Sequence, residues 1–170
     1  MGIIFIFGLF VISLVIQGSV LALAGTGGVH PDILFVVVVA LALLSDGKRG
    51  ALLGFSAGML QDIVFASPIG FFTFGKMLAG LLAGLLAHEI YRDFVPVPVI
   101  VVTVLTVLNE AVTYLLMNMY FNPQVTFIHY LQHFSLPRVA MHILVMAIAY
   151  PYLYTAQKRR MFFHEPESTG

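Results

Sequence analysis

The sequence contains no cysteine. This excludes disulfides, thiolate catalysis and cysteine-ligated metals, and says nothing of compartment. Charge is scarce as well: eight Lys+Arg and eight Asp+Glu among 170 residues give a formal net charge of zero. A neutral chain lacks the basic face that a nucleic-acid partner requires, so no nucleic acid is expected. With 60% hydrophobic residues, 9% charged residues and a mean hydropathy of +1.00, there is too little polar surface to cover a soluble domain. The chain reads as an all-α integral membrane protein. Its stretches between apolar runs stay under about 15 residues, too short for a separate soluble domain. Partners must therefore dock on helices, short loops or the tail, with membrane lipids as the surroundings. No nucleophile motif, phosphate-binding glycine loop or HExxH signature is present, so no catalytic residue, cofactor or metal is expected.

What is present is a series of apolar runs. They predict six transmembrane helices at about 3–24, 31–45, 50–66, 71–90, 97–121 and 137–157, followed by a cytoplasmic tail at 158–170. Ile3 to Ala24 is long enough, at ~1.5 Å per residue, to cross a bilayer. Ala22-Leu23-Ala24 before Gly25 also fits a signal-peptidase site, but the run is long for a signal peptide and no basic residue precedes it, so retention as the first helix is expected. The second run, Ile33 to Leu44, is short for a span and needs neighbours to shield it. Pro151 should bend the last helix. Lys48, Arg49, Arg92 and Lys158 to Arg160 fall in the second loop, the fourth loop and the tail, so the positive-inside rule places both termini in the cytoplasm. Between the last two spans, Phe127, Leu131 and Phe134 share a helical face, which predicts a short amphipathic helix on the outer membrane surface.

The third and fourth helices form a hairpin turning at Ala66 to Gly70. Gly50, Gly54 and Gly58 recur every fourth residue, and Gly80 and Gly84 answer them on the return helix, so the two backbones can approach closely. Gln61, Asp62 and Lys76 sit within this hairpin, where ionisable groups are costly and tend to be paired, internal or functional. Asp62 and Lys76 reach similar depths, ~8 Å below the turn. Three readings stay open for them: a buried ion pair closing the hairpin, a pocket or partner contact, or separate snorkelling. Asp32, following His30-Pro31, is expected to start the second helix. Glu110 stands near the middle of the fifth helix, on a polar stripe with Thr103, Thr106 and Thr113 and with Asn109 adjacent. That stripe faces protein or water, as interhelical hydrogen bonding or as an ion or substrate path. His129 and His133 have helical metal-pair spacing, but two ligands are too few for a closed zinc site.

His30-Pro31-Asp32, the Gly50 to Gly58 repeat, Gln61-Asp62, Ser67-Pro68-Ile69-Gly70 and the glycine-rich return helix together resemble the MreD family of rod shape-determining proteins. Leu136-Pro137-Arg138, Pro151 and the basic tail are similar too, while His142 stands where that pattern suggests a smaller polar residue such as asparagine. The resemblance implies a non-enzymatic component of the bacterial cell-elongation machinery in the inner membrane. Its implied partners are the MreC scaffold, the actin-like MreB filament, a glycosyltransferase and a class B penicillin-binding protein. It also implies a fold similar to the substrate-binding subunits of energy-coupling-factor vitamin transporters.

Two functions follow as expectations. One is a membrane interaction protein that organises peptidoglycan synthesis and rod shape, with small residues on the outward sides of the third and fourth helices seating a scaffold helix. The alternative is a solute-binding transport subunit with Asp32, Asp62, Lys76, Glu110 and Arg138 around an outward-opening pocket. Gln61, Asn109 and His142 are further buried polar candidates.

Overall fold

A computed structural model describes residues 2–24, 29–65, 68–87, 89, 96–121, 126–159 and 162. The expectations at Gly25, at Ala66-Ser67, at His88 and Arg92, at Asn122-Pro123 and beyond Phe162 lie outside the described residues. The helices are α1 (Gly2–Ala24), α2 (Ile33–Leu43), α3 (Gly47–Val64), α4 (Phe71–Leu86), α5 (Pro96–Phe121), α6 (Phe127–Tyr130) and α7 (Leu136–Lys158). No strand occurs among the described residues. Three helical stretches, Gly2–Ser19, Pro96–Tyr120 and Phe127–Lys158, are long and apolar enough to cross a membrane.

The short α2 is the axis of the bundle. Every residue from Leu34 to Leu43 is buried, and α1, α3, α4, α5 and α7 all pack against it. An eleven-residue helix is only ~17 Å long, about half of a ~30 Å hydrocarbon layer, so its ends must terminate within protein. At its start, Asp32 accepts a 2.9 Å hydrogen bond from the Phe35 backbone N–H, satisfying one of the donors that a helix start leaves open. At the other end, Asp46 caps α3 in the same way through Arg49 N–H at 2.9 Å. This sets the start of α3 at Gly47, three residues before the apolar pattern alone begins it.

Inside a bilayer, lipid is as apolar as leucine, so helices associate through close packing and polar ties rather than by escaping water. The α3–α4 hairpin shows how closely. A Cβ added at Gly50 would run into the carbonyl oxygen of Gly80, and one at Gly80 into that of Gly50. Additions at Gly54, Gly58 and Gly84 would strike the backbone of Lys76, Thr73 and Asp46 respectively. The glycines are therefore consumed within the hairpin.

The segment before α7 also differs from expectation. In place of a separate surface helix, α6 passes through a π-helical turn, Leu131–Ser135, directly into α7. Its buried side carries Tyr130 and Ser135, while Phe127 and Phe134 are exposed. Pro137 directly follows the π-helical turn, and having no N–H it leaves a carbonyl of that turn without an intrahelical donor. Helix continues through Pro151 to Lys158. At the far end, the Phe162 ring lies 5.4 Å from that of Phe5, which puts the two described ends of the chain at the same end of the bundle.

Candidate functional site

Two polar clusters sit one above the other between α5 and α7. On α5, Thr106 and Glu110 are one helical turn apart; on α7, Arg138 and His142 are likewise. Glu110 faces Arg138 across the two helices, and Thr106 faces His142.

In the first cluster, Arg138 Nη1 donates to Glu110 Oε1 at 2.7 Å. The Tyr130 hydroxyl donates to Glu110 Oε2 at 2.9 Å, and Ser135 Oγ approaches the same oxygen at 3.3 Å. Glu110 is 1% exposed. A carboxylate so deep is tolerated because its charge is matched by a guanidinium and both oxygens accept hydrogen bonds. The π-helical turn explains how one helix supplies two of these donors. Tyr130 and Ser135 are five residues apart, a spacing that an α-helix fans out and a π-turn brings onto one side.

In the second cluster, the Lys76 ammonium, 1% exposed, forms an ion pair with Asp32 Oδ2. It also lies 5.8 Å and 5.2 Å from the ring centres of Phe35 and Phe72, within cation–π range. His142 closes the cluster. Its Nε2 accepts from the Asp32 backbone N–H at 2.9 Å, so that nitrogen carries no proton. Thr106 donates its hydroxyl hydrogen to the Val102 carbonyl at 2.7 Å, which leaves it to accept from His142 Nδ1–H at 2.9 Å. These two contacts define the neutral Nδ1–H tautomer. The ring also stacks on Phe35, with centroids 5.5 Å apart.

Asp62 is not the partner of Lys76, which corrects the ion pair considered within the hairpin. It serves instead as the N-terminal cap of α4. Its oxygens accept from Gly70 N–H at 2.9 Å, Phe72 N–H at 2.8 Å, Thr73 N–H at 3.3 Å and Thr73 Oγ1 at 2.6 Å. Gly70, with φ of 99°, adopts the left-handed conformation needed to turn the chain under this carboxylate and has no side chain of its own to cap the helix. A negative charge is favourable at this positive end of the helix dipole. Lys76 lies further along α4 and reaches α2 instead, because α2 fills the space behind the hairpin.

The other candidates take lesser places. Gln61 is buried, and its Oε1 has no hydrogen-bond partner among the described residues. Asn109 meets α4 at Gly75, where an added Cβ would strike its side-chain oxygen. His129 and His133 stack 4.0 Å apart on an exposed face. No group of three metal-binding side chains occurs among the described residues. Sequence reasoning missed Tyr130, Ser135 and Thr73. A polar residue at each helix start was the available signal for Thr73; for the other two, the α-helical period concealed it.

Asp32, Lys76, His142 and Thr106 thus tie α2, α4, α7 and α5 together, while Glu110 and Arg138 bind α5 to α7. Each ionised group in these clusters is engaged by another part of the same chain. The arrangement fixes helix register; it presents no nucleophile paired with a base.

Among known proteins, residues 1–159 fit the family model described as rod shape-determining protein MreD. No curated protein and no solved structure matches the chain. The expected likeness to the substrate-binding subunits of energy-coupling-factor transporters draws no support from them.

Proposed function

Because the chain belongs to the family of the rod shape-determining protein MreD, we propose that it is a non-enzymatic, multi-pass component of the bacterial inner membrane that takes part in rod-shape determination by binding the MreC scaffold. Through that scaffold it helps to organise peptidoglycan synthesis alongside MreB, a glycosyltransferase and a class B penicillin-binding protein. Both termini are cytoplasmic in this reading. The same-end placement of Phe5 and Phe162 and the basic residues of the second loop and tail support that orientation.

The observation that carries the reading beyond family membership is the use of the buried charges. Asp32 is matched by Lys76, Glu110 by Arg138, and Asp62 by the start of α4. Charges committed to internal ties favour a rigid docking body over a solute path. The glycine seam is internal, so the outer apolar faces of the helices are left to meet partners.

The test is depletion of the protein in its native host, complemented by an affinity-tagged copy. Rod-shaped growth restored by the tagged copy, with the single-span scaffold recovered from solubilised membranes, is the expected result. Rods without any recovery of the scaffold after in-cell crosslinking would reject the binding role.

A further inference from the structure

Helix α1 packs on α2 but diverges from α3, and the gap between α1 and α3 is a groove of about 730 Å³. Ile3, Phe7 and Phe10 form one wall; Leu52, Phe55 and Met59 form much of the other. Of the lining residues only Arg49 and Ser56 are polar. Ser56 spends its hydroxyl hydrogen on the Leu52 carbonyl at 2.5 Å, so it asks nothing of an occupant. Arg49 stands at one end, at the first turn of α3, with its side chain 44% exposed and its Nε paired with Asp46 Oδ2 at 3.3 Å. Lys48 beside it leaves this short loop with one net positive charge.

The dimensions discriminate between occupants. The α1 wall runs only from Ile3 to Phe10, ~10 Å along the helix, which is within one leaflet of a ~30 Å hydrocarbon layer. A transmembrane helix would call for two matched walls over the whole thickness. At ~30 Å³ per group of the size of a water or methylene, the groove holds roughly two dozen such groups, the bulk of one or two acyl chains. Since all lipid tails are equally apolar, preference for one lipid must come from its headgroup, and the charge at the groove's end is positive.

We propose that the α1–α3 groove is a binding site for an anionic phospholipid, its acyl chains between the two helices and its phosphate at the Arg49 end. The site belongs to the leaflet at the Arg49 end of the bundle. This inference does not depend on scaffold binding by the chain.

The full chain, reconstituted with equal amounts of phosphatidylglycerol and phosphatidylcholine of identical acyl composition, is released from detergent and its retained lipid read by native mass spectrometry. Preferential retention of phosphatidylglycerol, by roughly fivefold, is expected. Arg49→Gln should abolish the preference while lipid of either kind is still retained. Ser56→Trp, which fills the groove from an exposed position, should reduce retention of both. Equal retention of the two lipids by the unaltered chain overturns the proposal, as does an undiminished preference in Arg49→Gln or an undiminished retention in Ser56→Trp. A photocrosslinker at Phe55 that captures a protein helix in native membranes, with no lipid adduct, overturns it in favour of a protein occupant.

Discussion

Arg138 on α7 holds Glu110 on α5 through a 2.7 Å contact, although Glu110 is 1% exposed and the Arg138 side chain 19%. Removal of the carboxylate leaves the guanidinium facing a low-dielectric interior, and the Tyr130 hydroxyl loses its acceptor. Glu110→Ala is therefore expected to destabilise the protein by about 3–5 kcal/mol, the usual consequence of breaking a buried pair on one side. Glu110→Gln keeps an acceptor for Tyr130 and should cost less. Thermal denaturation in detergent, followed by size-exclusion chromatography, orders the two variants.

Lys76 and Asp32 should behave as a coupled unit. Lys76→Met leaves the Asp32 carboxylate, among the described residues, with a single backbone N–H ligand, that of Phe35. Asp32→Asn leaves the ammonium without a counter-charge, facing a neutral amide beside the Phe35 and Phe72 rings. The two substitutions combined should cost less than the sum of the singles, with a coupling energy of about 1–3 kcal/mol in a double-mutant cycle. Strict additivity would show that the two heads do not interact.

The glycine seam gives a position-dependent result. Gly54→Ala places a methyl against the Lys76 backbone, whereas Gly8→Ala on α1 meets nothing within 4 Å. The first should destabilise by about 1–3 kcal/mol through overpacking; the second should be neutral or slightly stabilising, alanine being the better helix former. Equal melting temperatures for the two would contradict the close α3–α4 approach.

Asp62 should matter as a cap. Asp62→Ala removes the acceptor for Gly70, Phe72 and Thr73 at once and should cost about 2 kcal/mol, the upper end for a helix cap. Asp62→Asn retains an acceptor oxygen and should recover part of that. Amide hydrogen exchange in the first turn of α4 should rise in Asp62→Ala before it rises in α2.

The glycine pattern made the hairpin legible, because four-residue spacing fixes a helix face without knowledge of the rest of the fold. The role of Asp32 at a helix start was equally local. Its ion pair was not: Lys76 is 44 residues away, and only the insertion of α2 behind the hairpin makes the pair. Equal depth on two antiparallel helices suggested Asp62 for Lys76, but depth leaves the rotation of each helix about its own axis undetermined. Glu110 stood out as a costly charge, and Arg138 was visible as a candidate. Their junction depends on how α5 and α7 pair. Tyr130 and Ser135 escaped because a π-helical turn changes the period on which the reading relied.

If these buried charges are structural ties and partners are met elsewhere on the protein, Asp32→Asn combined with Lys76→Met, expressed at the native level in cells that lack the original protein, should be tolerated. The variant, once shown to be folded and in the membrane, is expected to sustain rod-shaped growth and to recover the single-span scaffold as the unaltered chain does. A variant folded and abundant to the same degree, yet leaving cells round, would contradict that expectation.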